Sequence, residues 1–168
     1  MKVFGVVGWK NNGKTTLVER LVEHLTDSGY RVSTVKHAHH EVDLDQPGKD
    51  TWRHRQAGAR EVVLATARRW AVIHELRNEP EPALDALLAR MTPVDLVLVE
   101  GFKRFWHPKL EVHRRERGTP LLAAEDASIV ALATDEPVPE LQLPQFELDD
   151  VPGIARFVLE RAAAWPPR

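Results

Sequence analysis

The feature that most constrains this chain is a glycine-rich stretch, GWKNNGKTT at residues 8–16, which directly follows the apolar run VFGVV at residues 3–7. Gly8, Gly13, Lys14 and Thr15 satisfy the pattern G-x-x-x-x-G-K-[ST], in which backbone N–H groups close around phosphate oxygens. The lysine places a positive charge near the β and γ oxygens, and the hydroxyl after it can ligate Mg²⁺. The sequence therefore predicts a phosphate-binding loop between a buried strand and a helix.

The rest of the chain alternates apolar strands with helical patterns. Strands are predicted at residues 3–7, 31–35, 94–99, 109–113 and 129–133, and a hairpin at residues 61–65 and 70–75. Helices are predicted after residue 14 and at residues 50–58, 80–91 and 149–162. Nearly continuous apolar strands are typical of a parallel sheet covered on both faces. We expect a single domain over residues 1–168 with a P-loop NTPase-like α/β fold, namely a mostly parallel sheet, helices on both faces and an added antiparallel hairpin.

Composition and net charge limit the binding partners and the cellular location that we expect for this chain. The chain has 168 residues, no cysteine and a formal net charge of −2. This charge gives no bulk electrostatic reason to expect nucleic acid or an anionic membrane as a partner. No apolar run reaches the roughly 18 residues of a membrane span, and the first one is too short for a signal peptide. We therefore expect a cytoplasmic protein, which the lack of cysteine fits.

A nucleotide site of this kind needs an acidic residue at the end of a second apolar strand. Two predicted strands end suitably, VDLVLVE at Glu100 and IVALATD at Asp135. We expect Glu100 to be a metal ligand together with Thr15, and Gly101 to let the backbone approach the γ-phosphate. Asp135 lies where open α/β sheets bind ligands, and its carboxylate can accept hydrogen bonds from N1–H and N2–H of guanine. The alternative role for Asp135 is capping a turn or helix.

The segment HAHHEVDLDQPGKD at residues 37–50 predicts a long functional loop that leaves the second strand beside the phosphate-binding loop. Residues placed to meet an anionic ligand are Lys36, His37 and Arg53. Residues whose carboxylates can reach Mg²⁺ or orient water are Asp43, Asp45 and Asp50, of which Asp45 is our candidate metal ligand. A zinc site made of His37, His39, His40 and His54 is an alternative that the H-x-H-H spacing does not favour.

Two further stretches bear on the kind of protein. GFKRFWHP at residues 101–108 carries Phe102, Phe105 and Trp106, more rings than a solvated turn needs, so we expect them to pack or to meet a partner. HRRERG at residues 113–118 can form an arginine lid over phosphates, which keeps a small-molecule kinase as the alternative function. No residue stands out as a strong water-activating base, and without activation hydrolysis is slow, on the order of 10⁻⁴ s⁻¹.

These segments together resemble one known family, the molybdopterin-guanine dinucleotide biosynthesis adaptor family, MobB. The resemblance is carried by GWKNNGKTTL, TVKHAHHEVDLDQPGKDTWRHRQAGA, VDLVLVEGFK and IVALATD, which together run over most of residues 1–135. The second of these segments is the most specific, because many proteins with a phosphate-binding loop share the others.

The resemblance implies a GTP-binding protein of the SIMIBI-like group that uses Mg²⁺ and forms a homodimer. It implies a partner, the nucleotidyltransferase MobA, and a role in attaching GMP to molybdopterin, and it leaves open whether molybdopterin touches this chain. Carried over by position, the phosphate-binding residues are Gly8, Trp9, Lys10, Asn11, Asn12, Gly13, Lys14, Thr15 and Thr16, and the loop at residues 37–50 lies over the nucleotide. Many SIMIBI relatives have a lysine directly after the first glycine. Here that residue is Trp9, so the role of that lysine is not carried over.

Overall fold

The computed structural model describes residues 1–38 and 42–166. By their contacts these residues form two compact units, Met1–His37 with Leu88–Arg168, and Ala38–Leu87. The elements in chain order are β1 (Lys2–Val7), α1 (Lys14–Asp27), β2 (Val32–Lys36), α2 (Asp50–Gln56), β3 (Glu61–Ala65), β4 (Trp70–His74), α3 (Leu84–Leu88), β5 (Leu96–Glu100), β6 (Lys109–His113), β7 (Ile129–Thr134), β8 (Gln145–Glu147), α4 (Val151–Arg161) and β9 (Ala163–Ala164). The expectation of one domain over residues 1–168 stays a prediction.

The first unit is built on a seven-stranded sheet in the order β2-β5-β1-β6-β7-β8, with β9 added beside β1. Every pair along this order is parallel, whereas β9 runs antiparallel to β1. The carboxyl ends of the parallel strands therefore share one edge of the sheet, which is where open α/β sheets bind ligands. This architecture, together with a separate antiparallel hairpin of β3 and β4, confirms the predicted fold class.

One face of this sheet is covered by α1 and α4. Helix α1 buries Leu17, Val18, Leu21 and Leu25, the spacing that the sequence predicts. Helix α4 begins after Asp150, whose Oδ1 accepts a hydrogen bond from Gly153 N at 3.0 Å and so caps the helix. The core between these helices and the sheet includes Phe4, Val6, Leu98, Leu110, Val112 and Ile154.

The opposite face of the sheet carries a buried polar layer. Along β6, Leu110 and Val112 join the helix-covered core, so the alternate residues Lys109, Glu111 and His113 point to the other face. All three are buried. The Glu111 carboxylate accepts hydrogen bonds from the backbone N–H groups of Leu122 and Ala123, at 3.0 and 2.8 Å, in a short 3-10 helix at Leu122–Ala124. This 3-10 helix is therefore part of the cover on the second face.

The second unit contains α2 and the β3–β4 hairpin. The hairpin pairs Val63 with Val72 and Ala65 with Trp70, so these four side chains share a face. Three of them are strongly exposed, Val63 by 61%, Trp70 by 69% and Val72 by 45%. Elsewhere in this unit the Arg55 guanidinium pairs with carboxylates of Asp43, Asp45 and Glu75.

One predicted helix is wrong in extent, and two short strands were not predicted. The helix expected at residues 80–91 is only α3, Leu84–Leu88, because the prolines at positions 80 and 82 disfavour helical backbone in the residues before them. Strand β8 was not predicted after the proline-rich stretch, and β9 was not predicted before the chain end. Among the described residues, no helix is long and apolar enough to cross a membrane.

Candidate functional site

The glycine-rich loop leaves β1 in a conformation that requires glycine at both fixed positions. Gly8 has φ of 144° and Gly13 has φ of 100°, a region that L side chains rarely adopt. A Cβ on Gly8 would lie 2.4 Å from the carbonyl oxygen of Val112, so β6 passes too close for any side chain. Asn11 also has positive φ, 65°, which asparagine tolerates better than most residues. The loop shape is therefore fixed by contact with β6 as well as by the turn.

Lys14 opens α1 at the centre of this loop. Its Nζ donates a hydrogen bond to the carbonyl oxygen of Trp9 at 2.8 Å. Burial lowers the pKa of the Lys14 ammonium, and the nearby charges of Lys103 and Lys36 lower it further, whereas the Glu100 carboxylate opposes them. The positive charges of Lys103 and Lys36 therefore act on Lys14. A bound anion there would relieve their mutual repulsion, as a phosphate-binding role for Lys14 requires.

The two predicted metal ligands of the loop and of β5 lie side by side. The Thr15 hydroxyl donates to Glu100 Oε1 at 2.9 Å. Glu100 is only 8% exposed, and it follows directly from a strand that is buried along its length. The Lys36 ammonium lies 3.3 Å from Glu100 Oε1 and 3.3 Å from the Thr15 hydroxyl oxygen. The parallel register of β2 and β5 places Lys36 directly beside Glu100, so these contacts follow from strand pairing.

These residues fit a magnesium ion. Thr15 and Glu100 offer a hydroxyl and a carboxylate oxygen, the kind of ligand that Mg²⁺ takes, and it keeps water at its other positions. A cationic group, the Lys36 ammonium, already lies against both oxygens. The pair of oxygens is therefore a place where positive charge is stabilised. The metal roles of Thr15 and Glu100 stay predictions.

The chain leaves Glu100 through a strained turn that touches the end of β2. Gly101 has φ of 92°, and a Cβ there would lie 3.0 Å from Cβ of His37. Phe102, also with positive φ at 49°, is buried, and its ring centroid lies 4.7 Å from that of His37. The backbone N–H of His37 donates to the Glu100 carbonyl at 2.9 Å. The structure thus brings His37 and Gly101 together beside Glu100. It gives Gly101 a packing reason that the sequence alone did not show.

The remaining predicted phosphate ligands differ in their surroundings. Trp9, Lys10, Asn11 and Thr16 are exposed. The Trp9 ring is held by a residue outside the glycine-rich loop, since its Nε1 donates a hydrogen bond to the Pro120 carbonyl at 2.7 Å. The binding roles of all four residues stay predictions.

Asn12 and Arg114 lie at the loop for reasons that the motif does not contain. Asn12 is completely buried, and its Nδ2 donates to the Val112 carbonyl at 3.2 Å. Arg114 follows β6, and its Nε and Nη2 lie 3.8 Å from where a Cβ on Gly13 would be. A guanidinium at that distance can contact a phosphate held by the loop. The sequence signal for Arg114 is its position just after a strand that ends at the ligand-binding edge.

Asp135 lies beside a cavity at the ends of β7 and β8. The cavity has a volume of about 400 Å³, and its lining includes Arg114, Asp135 and Phe146. The Asp135 Oδ1 accepts a hydrogen bond from the backbone N–H of Arg115 at 3.0 Å. Asp135 is exposed, so its carboxylate can also accept further hydrogen bonds from a ligand. The turn contact and guanine recognition are therefore compatible roles, and the latter stays a prediction.

The second unit contains the other predicted ligands. Asp45 Oδ1 accepts a hydrogen bond from the Thr51 hydroxyl at 2.7 Å, and Oδ2 lies 3.2 Å from Arg55 Nε. These contacts anchor the start of α2. The metal role of Asp45 stays a prediction, as does the position of the 37–50 loop over the nucleotide. His39 and His40 lie outside the described residues. Within the described ranges, no group of three or more His, Cys, Asp or Glu side chains is arranged to hold a metal ion.

The arginine-rich turn after β6 contributes one side chain to the loop. Arg115 lies 3.7 Å from Glu136, and Arg117 lies 3.7 Å from Glu116. The Arg114 guanidinium lies at the glycine-rich loop, 3.8 Å from the position that a Cβ on Gly13 would take. The kinase alternative needs a lid of several arginines over one ligand. The position of Arg114 supports such a lid, whereas Arg115 and Arg117 pair with glutamates instead.

The sequence and the fold both match known proteins. A family model described as MobB, Molybdopterin guanine dinucleotide synthesis protein B, matches residues 3–135. A Molybdopterin-guanine dinucleotide biosynthesis adapter protein from Haemophilus influenzae is 40% identical over 159 residues, covering 93% of this chain and 86% of the relative. The protein of the same name from Escherichia coli is 39% identical over 155 residues, covering 90% of this chain and 88% of the relative.

Solved structures give the same match. The crystal structure of Bacillus subtilis MobB superposes with a TM-score of 0.77 at 28% identity, covering 98% of this chain and 99% of that one. The crystal structure of a MobB homolog from Bacillus stearothermophilus superposes with a TM-score of 0.70 at 31% identity, covering 95% of this chain and 97% of that one.

Proposed function

The chain belongs to the MobB family, and from that membership we propose that it is a GTP-binding adaptor protein with at most slow GTPase activity. In this role it assists the attachment of GMP to molybdopterin during molybdenum cofactor biosynthesis. The observation that supports nucleotide binding best is the contact of 2.9 Å between the Thr15 hydroxyl and Glu100, directly beside Lys14. Relatives that share most of the chain are named as adapter proteins of molybdopterin-guanine dinucleotide biosynthesis.

The proposed ligand is GTP with Mg²⁺. The glycine-rich loop and Lys14 would bind the β- and γ-phosphates, and Thr15 with Glu100 would hold the metal ion. Bound Mg²⁺ supplies charge neutralisation at the phosphates. The cavity beside Asp135 has room for a base, and the carboxylate supplies the acceptor that the guanine edge needs.

Slow hydrolysis follows from how the carboxylate of this site is used. Glu100 accepts a hydrogen bond from Thr15 and pairs with Lys36. A carboxylate engaged in this way positions ligands rather than activating a water molecule. Without a positioned base, hydrolysis falls to on the order of 10⁻⁴ s⁻¹ in related switches. Such a protein holds its nucleotide for a partner.

The proposed partners are a MobA-type molybdopterin guanylyltransferase and a second copy of this chain. The adapter name of the relatives supports a partner in dinucleotide synthesis. The exposed apolar face of the hairpin, with Val63, Trp70 and Val72, supports a homodimer, because such a face is costly to leave in water. We propose a cytoplasmic location, which a chain without cysteines fits.

The first test uses Lys14→Ala. We expect this variant to lose affinity for both GTP and ATP, because its ammonium is the central charge of the loop, whereas Lys2→Ala at the other end of β1 should bind like the wild type. Isothermal titration calorimetry measures both. Unchanged nucleotide binding by Lys14→Ala would contradict the proposal.

A turnover assay distinguishes the adaptor from the kinase alternative. GTP turnover that rises only when the transferase is added supports the adaptor, and phosphate transfer to a pterin or nucleoside would instead identify a kinase.

The second test addresses the base. Asp135→Asn replaces an acceptor with an amide that can also donate, which suits the 2-oxo group of xanthine better than the 2-amino group of guanine. We expect the preference to move from GTP towards XTP, measured as the ratio of the two dissociation constants. A ratio that does not change would show that Asp135 only caps the turn to Arg115.

A further inference from the structure

A second cleft opens on the sheet face opposite α1 and α4. Its volume is about 720 Å³, within the range of small-molecule sites. One part of its lining comes from residues 103–106 together with Trp9, and another from residues between 122 and 129. The first part is aromatic and basic, and the second contains two carboxylates. Only Trp9 belongs to the glycine-rich loop, so this cleft is not the phosphate site.

The two walls of the cleft are tied together by one buried lysine. Lys109 is fully buried, and its Nζ donates to the Phe105 carbonyl at 2.5 Å. The same ammonium donates to the Ser128 hydroxyl and lies 3.5 Å from Asp126 Oδ2. The backbone of the aromatic wall and the polar groups of the opposite wall are thus held by shared hydrogen bonds. A cleft built this way is formed before its ligand arrives, which lowers the entropic cost of binding.

The aromatic wall presents flat surfaces that accept a stacked ring. Trp106 is 39% exposed, and Trp9 is fixed by its hydrogen bond to the Pro120 carbonyl. The Lys103 ammonium lies 4.4 Å from the centroid of the Trp9 ring, so a cation already rests on that surface. Trp106 packs edge-on against His107, with ring centroids 6.1 Å apart, and its exposed part can stack a planar heterocycle.

The charged side chains that line the cleft indicate which polar groups a bound ligand must have. Lys103 and Arg104 offer cations on the aromatic side, whereas Glu125 and Asp126 offer carboxylates on the other side. The Asp126 side chain is 34% exposed, so part of its carboxylate remains open to a ligand. A ligand that satisfies both sides has N–H donors on one edge and an anionic group on the other.

We propose that this cleft binds a planar fused-ring heterocycle of the 2-amino-4-oxo type that carries an anionic substituent. The ring stacks on the aromatic wall at Trp106, its amino edge faces Glu125 and Asp126, and its anion pairs with Lys103 and Arg104. Pterins and guanine nucleotides share this chemistry. The cleft is a site separate from the one proposed at Lys14, and it stands whether or not that site takes GTP.

The test titrates pterin-6-carboxylate, followed by its fluorescence, and GMP, followed by calorimetry, into the full chain. We expect Trp106→Ala to weaken binding of the pterin roughly tenfold or more, since stacking on an aromatic side chain is worth about that factor. Trp106→Phe should retain most of the affinity. Trp70→Ala removes a more exposed tryptophan from the hairpin and should bind like the wild type.

A second variant tests the charge. Lys103→Met should weaken binding several-fold and reduce its dependence on salt, because an ion pair is lost. Circular dichroism confirms that each variant is folded. If Trp106→Ala affects GMP and leaves the pterin unchanged, the natural source of the ring is a guanine nucleotide. The proposal is overturned if neither probe binds, if the Trp106 and Lys103 variants titrate like the wild type, or if Lys14→Ala abolishes pterin binding.

Discussion

At the scale of single residues, Lys36 is the most informative side chain of the site. Strand register places it beside Glu100, and its ammonium lies 3.3 Å from each of the two oxygens proposed as metal ligands. It compensates the charge of a carboxylate that is nearly buried, which would otherwise be costly. Any cation that binds these oxygens before a nucleotide arrives must therefore compete with Lys36.

This competition predicts a gain of metal binding when the lysine is removed. In Lys36→Met, we expect the affinity for Mn²⁺ without nucleotide to rise about tenfold or more, because a unit charge at this distance costs a divalent ion at least that factor. Electron paramagnetic resonance of free Mn²⁺ measures the change. Lys10→Met removes an exposed lysine of the same loop and is the matched control.

Two results would contradict this view of Lys36. Equal Mn²⁺ affinity in the wild type and in Lys36→Met would show that the Lys36 ammonium does not compete with the metal ion for the Thr15 and Glu100 oxygens. Retention of the gained affinity after adding Glu100→Gln would show that the metal binds elsewhere.

The site residues were predictable where a local sequence pattern places them in the site, and not where pairing between distant strands does. Lys14 and Thr15 follow from the motif, and Glu100 follows from an apolar strand that ends in an acid. The position of Arg114 at the loop depends on β6 lying next to β1, a pairing between segments about a hundred residues apart. No local spacing encodes that pairing. The close approach of Val112 to Gly8 was missed for the same reason.

At the scale of elements, β6 is unusual because one of its faces is charged and yet buried. Burial lowers the pKa of Lys109, although Asp126 acts in the opposite direction. The lysine is kept because its three partners, Phe105, Asp126 and Ser128, belong to the segments that cover this face. Lys109 therefore connects β6 to the segments that cover this face by hydrogen bonds and an ion pair.

Removing this connection should destabilise the fold. We expect Lys109→Met to lower the free energy of unfolding by about 1–3 kcal/mol, because it leaves the Phe105 carbonyl without its donor and Asp126 without its cation. Urea denaturation at neutral pH measures the change. Lys2→Met, which removes an exposed lysine that donates to the Leu159 carbonyl, should change stability by less than about 0.5 kcal/mol.

The lowered pKa of Lys109 gives the same prediction a pH dependence. Between this lowered pKa and the ordinary value of 10.5, the unfolded chain binds a proton that the folded chain does not. Stability carried by this group therefore rises with pH across that window. Lys109→Met should lack this rise, so the difference in unfolding free energy between the two proteins should grow with alkaline pH. A constant difference would contradict the assigned environment.

Elements with a strong apolar period were predictable, and short ones held by distant contacts were not. Strands β1 and β7 lie within one residue of their predicted bounds, β5 within two, and helix α1 begins at Lys14, within one residue of where it is predicted. Strand β8 has three residues and follows a proline-rich stretch. Its first residue, Gln145, is fixed by side-chain hydrogen bonds to the backbone of Val138, at 2.8 Å in both directions. Such a strand forms only once its neighbours are in place.

At the scale of the whole molecule, the hairpin of β3 and β4 carries the proposed self-association. We expect Trp70→Lys to shift the protein from dimer to monomer at micromolar concentration, because it places a charge in the middle of the exposed apolar face. Light scattering after size-exclusion chromatography measures the mass. Trp106→Lys, an equally drastic change on the first unit, is the control and should leave the mass unchanged.

A wild-type protein that is monomeric at these concentrations would contradict the homodimer itself. A Trp70→Lys variant that stays dimeric would instead place the interface on another surface. Either result leaves the proposed contacts of Lys14, Thr15 and Glu100 intact, since these three residues lie in the first unit.

The hydrogen bond from Lys14 to the Trp9 carbonyl has a consequence for how quickly ligands come and go. This bond links the first residue of α1 to the start of the glycine-rich loop, so Lys14 has an acceptor within the loop itself. In the proposed site, a departing phosphate would be replaced by the Trp9 carbonyl, five residues from Lys14, and the next phosphate would displace that carbonyl. We therefore expect ligand exchange without refolding of the loop.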